Sequence, residues 1–175
     1  MNPGALWRCW VAALMLLLIA PGVPANELPE YRLKAAFLYN FALFTEWPAD
    51  VGANLTLCVV GADPFGKELD ALQGKAVGAR SLALQRRGSQ ETIKGCQLLF
   101  VAPSAIASLP RLLDELRASP VLTVADSPDA AHQGVMLNMA VAASKVTFEA
   151  NLAAARAARL GLSAKLLRLA TEVLQ

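Results

Sequence analysis

Hydrophobic positions along this chain come in two patterns, and their order predicts the architecture. Short apolar runs of strand length alternate with segments of helical spacing. Leu55–Val60 reads as a first strand, Ser81–Arg86 alternates as a half-buried strand would, and Gln97–Ala102 and Val121–Ala125 are again short apolar strands. Between them, Pro64–Leu72 reads as a helix with Asp63 as its N-cap. A second helix reads from Ser108 to about Arg117, with Leu109, Leu112, Leu113 and Leu116 on one face. Further on, Val135–Val141 and Lys145–Ala150 predict an antiparallel hairpin turning at Ala142–Ser144. Asn151 then caps an alanine-rich helix over Leu152–Ala158, Gly161 interrupts it, and Ser163 caps a final helix carrying Leu166, Leu167, Leu169 and Val173. The expected fold is an α/β mixed sheet of about six strands, parallel early and antiparallel late, flanked by helices.

One segment departs from amphipathic spacing. Tyr31–Pro48, YRLKAAFLYNFALFTEWP, reads as a helix in which only Asn40 is clearly polar between Ala35 and Phe44. Such a helix calls for burial on nearly every side, with part of the cover supplied by another subunit or a partner.

The N-terminus bears on compartment. Arg8, the apolar run Val11–Ala20 and the small residues Val23 and Ala25 have the order of a cleavable signal peptide over residues 1–25. The apolar run is about half the roughly 20 residues that a spanning helix needs. Cys9 precedes that run, which is the wrong side for a lipidated cysteine. The expectation is an exported product starting near Asn26, and residues 26–175 have the size of one domain. Two cysteines remain, Cys58 and Cys96. A bridge between them requires the strands at Leu55–Val60 and Gln97–Ala102 to be neighbours; two buried free thiols are the alternative. Net charge is +2 over 175 residues, with both signs interspersed, so no nucleic-acid footprint is present.

Catalytic constellations are sparse. His132 is the lone histidine, and with Cys58 and Cys96 it lacks the short ligand spacing of structural zinc sites. Ser104 and Ser108 have no nucleophile elbow around them and read as helix caps. Gly61–Gly66 lacks both the dinucleotide spacing and a Walker lysine. No catalytic residue, metal or cofactor is expected. In VTFEAN, Glu149 falls on the face opposite Phe148, and Arg156 and Arg159 follow at three-residue spacing. Pairing of Glu149 with either arginine, or capture of an anionic group, would make this region a contact surface, in competition with ordinary solvation. Glu149, Arg156, Arg159, Ser163 and Lys165 form the candidate partner- or ligand-binding set.

KAAFLYNFALFTEWP, LCVVGADPFG, CQLLFVA, VLTVADSP, VTFEANLAAAR and LSAKLLRLA occur in the order and spacing of the YfiR family of periplasmic proteins, and the chain resembles that family over nearly its whole length after residue 25. The resemblance implies an α/β periplasmic regulator that restrains an inner-membrane diguanylate cyclase through its periplasmic sensor region. It further implies release through an outer-membrane lipoprotein that sequesters the regulator; a homodimer is also expected. Three positions depart from the family pattern: Cys96-Gln97 replaces Cys-His, Gln133-Gly134 replaces Gly-Gly, and Arg159 and Gly161 stand where relatives often have glycine and a basic residue. The alternative function is a periplasmic small-ligand binder whose groove uses Glu149, Arg156 or Arg159.

Overall fold

In a computed structural model, residues 27–143 and 145–175 are described. The expected signal peptide and Ser144 lie outside these residues. The uninterrupted apolar run Leu55–Val60 forms most of strand β2 (Asn54–Val60), which is buried on both faces because it has strand neighbours on either side and helices above and below. β5 (Leu98–Val101) and β6 (Leu122–Ala125) are buried at every position for the same reason. β4 (Arg80–Arg87), β7 (Leu137–Ala142) and β8 (Lys145–Asn151) complete the predicted set, and β7 and β8 are the expected antiparallel hairpin.

Four short strands were not foreseen: β1 (Thr45–Glu46), β3 (Ala76–Val77), β9 (Gly161–Leu162) and β10 (Glu172–Leu174). Among the described residues β3 and β10 bring the main sheet to eight strands where about six are expected, in the order β10-β8-β7-β6-β5-β2-β4-β3, and β1 and β9 pair as a separate ribbon. It is parallel from β4 through β2, β5 and β6 to β7, then turns antiparallel at β8. A mixed α/β fold is thus borne out, though the division into early parallel and late antiparallel strands is not strict: β3 pairs with β4 antiparallel and β10 joins β8 in parallel.

Helix α1 (Glu27–Leu43) covers one face of this sheet. Its buried stripe is Lys34, Ala35, Leu38, Phe41 and Ala42, and Phe41 packs edge-on against Phe148 with ring centroids 5.1 Å apart. Burial on nearly every side is not what the structure shows. Leu33 and Leu43 are 44% and 38% exposed, because the helix meets the sheet along one side only. The helix also ends earlier than expected, since Thr45 and Glu46 leave it to pair with Leu162 and Gly161.

The opposite face is closed by a 3₁₀ turn at Pro103–Ser108 and by α3 (Leu109–Glu115), with Leu109 and Leu112 buried against Val60, Leu99 and Val101. Ser108 does not cap α3 through its side chain, because the chain is already helical there; Ser104 instead accepts a 2.8 Å hydrogen bond from the Ala62 amide and fastens the turn after β2. A Cβ at Gly61 would come within 2.7 Å of that hydroxyl, which fixes glycine at this turn. Asp63 also has a different role. Its Oδ1 accepts from the Phe65 amide at 2.7 Å and its Oδ2 from Arg86 Nε at 2.7 Å, so α2 begins only at Lys67 and spans Lys67–Asp70. The guanidinium proton of Arg86 is held more tightly than usual by Asp70 and Asp63.

Cys58 in β2 is joined by a disulfide to Cys96, two residues before the neighbouring strand β5, with Cα atoms 5.8 Å apart, so the condition for a bridge is met. In the C-terminal part, Asn151 caps α4 (Leu152–Ala157) by accepting from the Ala154 amide at 2.8 Å. Ser163 caps α5 (Ala164–Leu167) by accepting from the Leu166 amide at 3.2 Å. The final helix stops at Leu167, and Val173 belongs to β10 and not to that helix.

Candidate functional site

The exit of α1 and the start of the C-terminal helices build one surface. Ser163 donates its amide to the Phe44 carbonyl at 3.0 Å, and Lys165 Nζ lies 4.8 Å from the centroid of the Phe44 ring. Arg159, in the left-handed region at φ 60°, reaches Asp50 with an exposed ion pair of 3.8 Å. Gly161 lies close beside Glu46: a Cβ there would come within 2.6 Å of Glu46 Oε2, so the glutamate side chain would have to shift. Glu46, exposed on β1, thus lies beside Gly161 in the β1–β9 ribbon. Three of the five candidates, Arg159, Ser163 and Lys165, thus gather along residues 44–50.

Arg159 and Asp50 also line an open cavity of about 430 Å³ whose wall includes Cys96 and Gln97. Gln97 replaces the histidine of the family pattern, and its role here is structural. Its side-chain Oε1 accepts from the Thr56 backbone amide at 2.8 Å while its backbone N–H donates to the Thr56 carbonyl at 2.9 Å. Arg156 is exposed on α4. Glu149 lies elsewhere: it accepts from Asn138 Nδ2 at 3.2 Å and lines a separate cavity with Lys34 and Asp126. Among the described residues no ion pair joins Glu149 to Arg156 or Arg159, so no groove combines the three. α4 begins three residues after Glu149, and its N-cap at Asn151 turns the arginines away from the carboxylate.

Sequence reasoning missed the polar cluster at that second cavity. Lys34 is 4% exposed and its Nζ sits 2.8 Å from Asp126 Oδ2 and 2.5 Å from Glu30 Oε1. The Tyr31 hydroxyl donates to the same Asp126 oxygen at 3.1 Å. The signal was present in the helix spacing: Lys34 occupies the stripe shared by Leu38, Phe41 and Thr45, where a lysine is expensive unless paired. His132 is exposed, and among the described residues no group of three or more His, Cys, Asp or Glu could hold a metal ion.

The sequence model of the YfiR/HmsC-like family matches residues 31–171. The chain belongs to the YfiR/HmsC-like family. No curated protein matches it. Membership supports a general role for this YfiR/HmsC-like protein as a periplasmic regulator in diguanylate cyclase signalling, in a family of regulators and not of enzymes. Among its described residues no helix is long and apolar enough to cross a membrane.

Proposed function

We propose that the protein binds the periplasmic sensor region of an inner-membrane diguanylate cyclase and restrains cyclic di-GMP synthesis. The observation that carries this reading is the family match over residues 31–171, which takes in α1, the hairpin and the C-terminal helices together. The mechanism is a population shift: the regulator binds the inactive state of the cyclase more tightly, and sequestration of the regulator by an outer-membrane lipoprotein releases the enzyme. No catalysis by this chain is involved. The mature protein begins near Asn26, after removal of the signal peptide, and residues 26–175 act as one domain.

The surface along the α1 exit is a fitting contact for the cyclase. It presents Arg159 and Lys165 beside the half-buried ring of Phe44, a mixture of cation and apolar area typical of protein interfaces. Glu149 and Arg156 are separate candidates, flanking the hairpin and α4. The outward side of α1, with Leu33 and Leu43 exposed, suits a homodimer.

Photocrosslinkers placed at Arg159 and Lys165 in the intact periplasm test the contact. Capture of a cyclase from either position, together with a rise in cellular cyclic di-GMP when the regulator is deleted, is the expected result. Unchanged cyclic di-GMP in a strain expressing the cognate cyclase refutes the repressor role, and capture from α4 or the hairpin alone moves the contact to Arg156 or Glu149.

A further inference from the structure

The cavity beyond the carboxyl end of β6 and alongside β7 carries an assignment of its own, independent of the repressor role. It is an open cleft of about 460 Å³, within the range of small-molecule sites, and lies where the sheet turns from parallel to antiparallel. Crevices beyond the carboxyl ends of parallel strands are where open α/β sheets bind ligands. Its wall includes Glu30, Lys34, Asp126, Ser127, Asn138 and Glu149.

Three buried oxygens on these wall residues have no hydrogen-bond partner among the described residues: Asp126 Oδ1, Ser127 Oγ and Asn138 Oδ1. Ser127 and Asn138 are 6% and 4% exposed, so bulk water does not serve them freely. Buried polar atoms are nearly always satisfied, and an orphan marks a missing partner. Two of the three accept only, and the hydroxyl can do either, so the missing partner is a donor. Charge points the same way. Glu30, Asp126, Asp129 and Glu149 bring four carboxylates to the cavity against the single ammonium of Lys34.

From these observations we infer that the cavity binds a small organic cation, a primary ammonium or guanidinium compound, through Asp126, Ser127, Asn138 and Glu149. A divalent metal ion fits less well. The Lys34 ammonium already occupies Asp126 Oδ2 and Glu30, and it repels a divalent ion about twice as strongly as the single charge of an ammonium or guanidinium group at the same distance. Lys34 instead holds the Asp126 carboxylate in place, so that its second oxygen is presented without needing to reorganise. A fork of N–H donors, as in guanidinium, can meet several acceptors at once.

The test uses agmatine and putrescine as probes, titrated calorimetrically into the purified protein, with calcium and magnesium chloride as competing ions. Saturable binding of at least one amine is expected, weakened about tenfold by Glu149→Gln and by Ser127→Ala, a loss of roughly 1.4 kcal/mol in each case. Thermal melts of both variants establish that they remain folded, and amide shifts in NMR spectra on adding the amine should centre on residues 126–129 and 138–141. Absence of saturable binding at millimolar amine, binding that ignores both substitutions, or tighter binding of either metal ion at these residues overturns the assignment.

Discussion

On one face of the sheet, α3 and the Cys58–Cys96 bridge close a core without a charged side chain among its buried members; on the other, α1 lays Lys34 against Asp126 in the same layer as Leu38 and Phe41. The first face is held by apolar area and a covalent link. The second holds two charges that must satisfy each other, and it adjoins a cavity with unpartnered oxygens. Burying an ion pair is weak evidence of stability, because the loss of hydration can exceed the attraction gained. The contrast therefore assigns different tasks: one face maintains the fold, and the other spends part of its burial on presenting polar groups.

Three substitutions sharpen or break this division. The largest effect is expected for Lys34→Met, which leaves the Asp126 carboxylate buried and uncompensated; chemical denaturation should show a loss of about 3–5 kcal/mol. The double variant Lys34→Met with Asp126→Leu should regain most of it, and failure to do so would mean that the pair itself is a net source of stability. Next, replacing Cys58 and Cys96 together by Ala should lower stability by about 2–4 kcal/mol, since the bridge closes a loop with a sequence separation of 38 residues. Amine binding should be unchanged in that variant, because the bridge lies on the other face; a parallel loss of binding would join the two faces into one functional unit. The smallest effect on stability, within about 0.5 kcal/mol, is expected for Leu33→Ser combined with Leu43→Ser on the outward side of α1. Sedimentation should nevertheless show a shift from dimer to monomer, and an unchanged oligomer would move the subunit contact away from α1.

Legibility in the sequence followed the length and regularity of each element. β2, β5 and β6 were readable because strands buried on both faces appear as continuous apolar runs, and the caps Asn151 and Ser163 were readable because a hydroxyl or amide one residue before a helix has a specific local partner. β1, β3, β9 and β10 were not, since two or three residues carry no period and their pairing depends on distant chain. Thr45–Glu46 looked like more helix for that reason. The disulfide needed only the adjacency of two legible strands. Arg159 was found, though its partner is Asp50 and not Glu149. Lys34 and Asp126 meet across 92 positions, a separation no local pattern reports, and the lysine was hidden inside a segment read for its apolar content.

The β1–β9 ribbon has a consequence for the order in which the molecule can be completed. Phe44 and Thr45 are close to the first described residues, and their partners Ser163 and Leu162 are close to the last. A chain emerging from synthesis or from a translocation channel cannot seal this seam until residues 161–163 are out. Closing contacts so far apart in sequence is slow compared with forming helices and hairpins. The seam is therefore a late one: the α1 exit becomes a finished surface only after residues 161–163 arrive, and a copy terminated before them lacks the strand and serine that shape it.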